Sequence, residues 1–161
     1  MTAPPTRDIV ITRIINAPIA TVWKAWTDPA QVSRWWGPSD YTSPGCQLDL
    51  REGGRYLFAM RAPASQGSGI SYTAGVYKEI VEQERLVFTQ CLADANGRCL
   101  PGDELPENFP AEILTTISFR DIDGLTELVI TESGWWPSLM SVFAYAGMHQ
   151  SLDKLSTVLA G

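Results

Sequence analysis

The spacing of apolar residues changes from a strand period to a helix period near Pro137, and that change limits the folds that the chain can adopt. From Tyr41 to Glu132, apolar residues recur largely at every second position, which is the spacing of half-buried β-strands. From Pro137 to about Leu159 they recur at every third or fourth position, which predicts one long C-terminal helix. Strands followed by a separate helix predict an α+β fold with an antiparallel sheet.

Shorter signals add the remaining elements. The β-branched run from Ile9 to Ile15 predicts a first strand, and Pro18 and Pro29 each begin a short helix after it. Gly53-Gly54 and Asp123-Gly124 mark tight turns between neighbouring strands. The sequence therefore predicts a curved antiparallel sheet of about six or seven strands around the long helix, with two short helices after the first strand.

The long helix carries an apolar stripe that has to be buried. The stripe consists of Tyr145, Met148, Leu152, Leu155 and Leu159. The concave face of the sheet is the available surface, and a curved sheet around one helix rarely fills its interior completely with side chains. The sequence therefore predicts an apolar cavity between sheet and helix, in which a ligand can bind.

Length and charge narrow the class of protein and the class of partner. The 161 residues predict one domain over 1–161, with a flexible tail at 1–6 and a long mobile loop at 93–110. The formal net charge of −6 argues against nucleic acid and against anionic membrane surfaces as partners. No stretch is long and apolar enough to insert into a membrane, and the first residues lack a signal-peptide pattern.

The cysteine and histidine content predicts neither a metal nor a cofactor. Cys46, Cys91 and Cys99 form neither a CxxC pair nor an even disulfide framework, so we expect reduced thiols in a cytoplasmic protein. These scattered cysteines and the single His149 do not have the spacing of metal ligands. A phosphate-cradling glycine loop before a helix is also missing from the sequence.

Four segments, taken in order, resemble the START-like family with the helix-grip fold. They are NAPIATVWKAWTDPAQVSRWWGP, LDLREGGRYLFAM, GVYKEIVEQERLVFT and GMHQSLDKL. Within that family they are similar to the branch related to the C-terminal domain of activators of the ninety-kilodalton heat-shock chaperone. The resemblance runs from Ile9 to Leu159 and implies a deep hydrophobic pocket between sheet and helix. Many relatives have Trp after the helix glycine, whereas this chain has Met148 after Gly147.

Eight residues are candidates for the wall of the predicted cavity, because they lie on inward strand positions, at the corner after the second helix, or on the long helix. They are Trp36, Tyr56, Phe58, Met60, Tyr77, Phe88, Phe143 and Met148. Glu79 shares a strand face with Tyr77, so either a bulge intervenes or Glu79 lies at the cavity mouth. His149 is a weak candidate for a catalytic residue, since no orienting partner is visible in the sequence.

The pair Trp35-Trp36 comes directly before the helix breaker Gly37-Pro38. We expect an indole ring to anchor the second helix to the sheet, while contact with a ligand stays open for Trp36. Because Val32 and Trp36 are four residues apart on a helix, we predict that Trp36 is buried and Trp35 more exposed.

Three functions are compatible with these features. The first is a binding protein for a small hydrophobic or aromatic molecule, which follows from the cavity and from the lack of a catalytic constellation. The second is a cyclase- or hydratase-like enzyme that uses polar groups of the cavity, such as Tyr56, Tyr77 or His149. The third is a protein-interaction domain, as in the chaperone-activator branch. A homodimer is a further possibility.

Overall fold

A computed structural model describes residues 6–160, so residues 1–5 of the predicted N-terminal tail lie outside the described residues. Within this range three α-helices flank a sheet of seven strands, as the α+β prediction requires. The strands are β1 (Arg7–Ile15), β2 (Cys46–Leu48), β3 (Arg55–Arg61), β4 (Ile70–Val81), β5 (Arg85–Ala93), β6 (Ile113–Ile122) and β7 (Leu125–Trp135). The helices are α1 (Ile19–Thr27), α2 (Pro29–Val32) and α3 (Leu139–Ala160).

All neighbouring strands pair antiparallel, in the order β1-β7-β6-β5-β4-β3-β2. The predicted turn at Asp123-Gly124 joins β6 to β7, and both residues have positive φ, as a tight hairpin of right-twisted strands requires. The sheet therefore follows chain order from β2 to β7, and the first strand completes it at the β7 edge. The predicted fold class, a helix-grip architecture, is confirmed.

The core lies between one face of the sheet, here called the inner face, and the three helices. Cross-strand register places Leu86, Ile117, Ile130 and Ile11 in one row on this face, and each of them is buried. From α3, Leu152 and Leu155 pack into the same core with no exposed surface, as predicted. The long helix thus covers the inner face with its C-terminal half.

The prediction for the two tryptophans is wrong in its order. Trp35 has an exposed fraction of 0% and Trp36 of 7%, so both rings are buried and Trp35 is the deeper one. After α2 ends at Val32 the backbone tightens into a turn, in which the amides of both Trp35 and Trp36 donate to the Val32 carbonyl oxygen. Trp35 turns back towards α1, where its indole N–H donates to the Ala25 carbonyl oxygen at 3.0 Å and its ring lies 4.6 Å from that of Trp26.

The prediction of reduced thiols is wrong for two of the three cysteines. Cys91 and Cys99 form a disulfide, with Cα atoms 5.7 Å apart. An Asp94 side chain that accepts from the amides of Asn96 and Arg98 turns the chain back, which brings Cys99 beside the end of β5. The bridge restrains the start of the 93–110 segment, whose mobility stays a prediction. Cys46 is a free, buried thiol.

Candidate functional site

Five of the eight predicted cavity residues meet in one aromatic cluster on the inner face. The Trp36 ring lies 4.9 Å from Phe58, and Phe58 lies 4.7 Å from Tyr56. Tyr56 in turn contacts Tyr77 at 5.5 Å and Phe88 at 5.4 Å. All five are buried, because alternate positions of β3, β4 and β5 point towards the helices and the corner after α2 adds the indole. We call these five residues the aromatic cluster.

Tyr56 lies at the centre of the aromatic cluster and its hydroxyl is already bonded. The hydroxyl donates to the Thr89 carbonyl oxygen at 2.6 Å. Gly75 makes this approach possible, since a Cβ atom at that position would overlap the same carbonyl oxygen and crowd the Tyr56 ring. Burial, with smaller contributions from Tyr77 and Glu132, raises the pKa of Tyr56 well above its usual value. The Tyr56 hydroxyl therefore stays protonated and acts as a hydrogen-bond donor.

A bulge separates Tyr77 from Glu79, as the sequence requires for these two residues on one strand. The register of β4 against β5 shifts between them, so Tyr77 faces inward while Glu79 reaches Arg85 with an oxygen–nitrogen distance of 3.1 Å. Burial raises the pKa of the Tyr77 hydroxyl, with a smaller effect of the nearby Cys46. The bulge thus removes the charge of Glu79 from the interior.

The remaining wall candidates divide between the interior and the surface. Met60 and Met148 are partly buried and pack against the core. Phe143 is 59% exposed, so its prediction as an inner-wall residue is wrong. The residues of α3 that contact the core from this end are Met140, Ala144 and Met148, spaced by four. Phe143 comes one position before Ala144 and therefore points about 100° away around the helix.

His149 does not join the aromatic cluster. Its Nδ1 lies 3.0 Å from a guanidinium nitrogen of Arg13 on β1, and its carbonyl oxygen accepts from the same group at 3.2 Å. The guanidinium also reaches Asp153 at 2.8 Å, and the Tyr145 ring lies 4.5 Å from the imidazole. Because arginine only donates, the imidazole Nδ1 is an acceptor here and carries no proton. The histidine thus links α3 to β1.

Glu132 is an interior residue that the sequence reasoning missed. It follows Leu128 and Ile130 on the inner face of β7, and its exposed fraction is 3%. One carboxyl oxygen accepts from the indole N–H of Trp135 at 3.1 Å. Burial raises the pKa of Glu132 to about 7, although the Trp135 bond lowers it in part. The sequence did contain an indication of this burial: Glu132 is two residues after Ile130 on the same strand, so both side chains point to the inner face.

Two surface pockets of the described residues lie apart from the interior of the aromatic cluster, although Tyr56 also borders the larger one. The larger, of about 470 Å³, is on the opposite face of the sheet, where Leu57, Ala74 and the Cys91–Cys99 disulfide form part of its wall. The other, of about 270 Å³, lies between β1, the end of β7 and the start of α3. We call it the β1–α3 pocket, and its lining includes Ile9, Trp135 and Tyr145. The sequence indicated neither pocket.

Two further features of the described residues bear on function. Over residues 6–160, no three His, Cys, Asp or Glu side chains converge so that they could hold a metal ion. In the same range, no helix is both long and apolar enough to cross a membrane.

Comparison with known proteins gives one family and several similar structures. Residues 16–160 match the family described as Activator of Hsp90 ATPase homolog 1-like protein. A crystal structure of a protein from Chromobacterium violaceum is 27% identical, with a TM-score of 0.76 over 96% of this chain and 97% of that one. The AHSA1 protein from Silicibacter pomeroyi is 20% identical, with a TM-score of 0.74 over 96% and 98% of the two chains. No curated protein matches the chain.

Proposed function

The chain belongs to the family of Activator of Hsp90 ATPase homolog 1-like proteins, and from this premise we propose that it binds a small, mostly apolar molecule between the inner face of the sheet and α3. Helix-grip proteins of this superfamily often bind hydrophobic ligands at that place. The observation that carries the proposal is the aromatic cluster, which presents the rings of Trp36, Tyr56, Phe58, Tyr77 and Phe88 to one interior region. Apolar and aromatic walls with few polar groups are typical of small-molecule sites.

The part of α3 above this region can adapt to a ligand. Met140, Ala144 and Met148 pack against the core to which the aromatic cluster belongs, and all three are only partly buried. Methionine side chains are unbranched and adopt several conformations at low energetic cost, so they can fill or vacate an irregular space. A ligand can therefore displace the methionines without breaking the sheet.

Substitution of Met148 tests this proposal. We expect naphthalene to raise the melting temperature of the protein and to appear in native mass spectra as a one-to-one complex. Met148→Trp adds an indole to the interior, so it should abolish the shift while the variant stays folded. Phe143→Trp adds the same group on the exposed side of α3 and should leave the shift unchanged. Failure of naphthalene and other apolar aromatic compounds to bind the unmodified protein would contradict the proposal.

The other functions stay predictions. An enzyme that uses His149 has only the Nε2 atom of the ring available while Nδ1 accepts from Arg13. The description of the family refers to activation of a chaperone ATPase, and purified Hsp90 with an ATPase assay tests that role directly. A homodimer is tested by sedimentation equilibrium.

The Cys91–Cys99 disulfide bears on the cytoplasmic location, which also stays a prediction. Disulfides persist in oxidising compartments and are rare in the cytosol, where thiols are kept reduced. Trapping of free thiols in intact cells distinguishes the two cases, because only Cys46 is free when the bridge is formed. Labelling of three thiols is the result expected in the cytosol.

A further inference from the structure

Among the described residues that are buried, Glu132 is the one with a charged side chain, and most of its surroundings on the inner face are apolar or aromatic. Strand register places it in one row across the inner face, between Thr115 on β6 and Ile9 on β1. The same row continues from Thr115 to Phe88 and from Phe88 to Tyr77, which belong to the aromatic cluster. Only Thr115 therefore lies between Glu132 and Phe88 in this row. An ionisable group at such a place needs a partner, because its burial is costly.

The protein provides a hydrogen-bond donor for only one of the two carboxyl oxygens of Glu132. The Trp135 indole N–H donates to one carboxyl oxygen, and it is the one hydrogen bond to the carboxyl group within residues 6–160. The neighbouring donors are already used: the Thr115 hydroxyl donates to Gln90 at 3.1 Å, and the Tyr56 hydroxyl donates to Thr89. None of the ion pairs of the described residues includes Glu132. The second carboxyl oxygen is thus left to accept a hydrogen bond from outside the protein.

The β1–α3 pocket lies beside two neighbours of this group. Ile9, the cross-strand neighbour of Glu132, and Trp135, its hydrogen-bond donor, both line that pocket. Its volume is about 270 Å³, just below the range of about 300–1,000 Å³ that is typical of ligand pockets. The charged groups at its rim are Arg7 and Asp8, on the edge strand. The pocket therefore reaches two direct neighbours of Glu132, although Glu132 is not itself among its lining residues.

We propose that Glu132 is the polar anchor of the ligand site and that its second carboxyl oxygen accepts a hydrogen bond from an O–H or N–H group of an aromatic ligand. This inference rests on the proposed function. It selects aromatic alcohols and amines over ethers and hydrocarbons of the same shape, because a buried acceptor without a donor loses its hydrogen bond to water. It also disfavours anionic ligands, whose charge opposes that of the carboxylate. The raised pKa of Glu132 agrees with a carboxyl group that lacks a cationic neighbour.

Matched naphthalene derivatives test the inference by isothermal titration calorimetry. At a pH above about 8, where Glu132 is ionised, we expect the unmodified protein to bind 2-naphthol about tenfold or more tightly than 2-methoxynaphthalene, since hydrogen bonds to charged groups contribute at this level. Glu132→Leu should bring the two affinities to within about twofold. Glu132→Gln should narrow the ratio as well, because the amide can donate to the ether oxygen. Glu127→Gln, a matched change on the solvent side of the same strand, should keep the full ratio.

The outcomes separate this inference from the proposed function. Equal binding of both compounds by the unmodified protein would overturn the anchor role while leaving a ligand site in place. The anchor role would also be overturned if folded Glu132→Leu kept the affinity ratio of 2-naphthol to 2-methoxynaphthalene. If that variant does not fold, the comparison of this ratio between the unmodified protein and Glu132→Gln decides. If neither compound nor naphthalene binds the unmodified protein, the proposed function is contradicted and the anchor role with it.

Discussion

The two halves of α3 meet the rest of the molecule in different ways. In the C-terminal half, Ser151, Leu152 and Leu155 are buried, and the Lys154 ammonium donates to three carbonyl oxygens of the corner after α2. The N-terminal half has no buried residue. Four of its large apolar residues are 46–68% exposed: Leu139, Val142, Phe143 and Tyr145. We call the C-terminal half of α3, with Ser151, Leu152, Lys154 and Leu155, its fixed end. The N-terminal half is the less buried end.

This difference assigns separate tasks to the two halves. The C-terminal half is held by complete burial and by bonds to Gly37, Pro38 and Tyr41, so its displacement breaks many contacts at once. The N-terminal half contacts the core through partly buried residues and lies beside the β1–α3 pocket. Stability should therefore depend on the fixed end, and ligand recognition on the other end and on Glu132.

The largest effect is expected at the corner that receives the fixed end. Trp35→Ala should lower the free energy of unfolding by about 3–5 kcal/mol, because it empties the space of a fully buried indole and leaves the Ala25 carbonyl oxygen without its donor. Urea denaturation measures this change. Trp36→Ala is the matched variant, and a much larger loss there than at Trp35 would contradict the packing of the corner.

A comparison within α3 tests the two halves directly. Leu152→Ala should lower the free energy of unfolding by about 2–5 kcal/mol, whereas Phe143→Ala should change it by less than about 0.5 kcal/mol. Both changes remove a large apolar side chain from the same helix, so helix propensity does not explain the difference. Similar losses in chemical denaturation would show that the N-terminal half is packed as tightly as the other.

Sequence reasoning reached the elements of the fold because local signals determine them. The alternation of apolar residues predicted that Tyr56 and Phe58 point to the same, inner face. The turn at Asp123-Gly124 predicted the pairing of β6 with β7. The helix stripe identified Leu152 and Leu155, since residues at such spacing share a face for several turns. These features follow from a few neighbouring residues and from the rigid period of helix or strand.

The errors concern features that depend on where an element ends or on contacts between distant segments. The burial order of Trp35 and Trp36 depends on α2 ending at Val32, one turn earlier than the breaker Gly37-Pro38 indicates. The disulfide depends on the turn at Asp94, which brings Cys99 back to β5. Such placements follow from tertiary packing, which alternation and helix period do not describe.

The pH dependence of the free energy of unfolding tests the burial of Glu132, which lies on β7. Its pKa of about 7 in the folded protein lies above the value of 4.5 expected for the unfolded chain. The folded protein therefore holds a proton that the unfolded chain releases, and this stabilisation is present below about pH 4.5 and lost as the pH rises through 7. Relative to Glu132→Gln, the unmodified protein should lose about 3 kcal/mol between these limits. Parallel profiles of the two proteins in urea denaturation would contradict the burial of the carboxyl group.

The smallest of these effects is expected from the bonds that hold the fixed end. The Lys154 ammonium lies 3.1, 3.2 and 2.9 Å from the carbonyl oxygens of Gly37, Pro38 and Tyr41. Lys154→Met keeps the aliphatic stem but leaves those carbonyls without a donor. The loss should be about 1–2 kcal/mol, because burial of the ammonium, which also lowers the pKa of Lys154, offsets part of the gain from its bonds.

The exposed Lys24 on α1 provides the matched control for this variant. Lys24→Met should change the free energy of unfolding by no more than about 0.5 kcal/mol, since it removes the same charge without a buried contact. If Lys154→Met behaves like Lys24→Met in urea denaturation, the three bonds do not hold the helix. The burial of Leu152 and Leu155 would then account for the fixed end by itself, and hydrogen exchange should show the corner opening independently of α3.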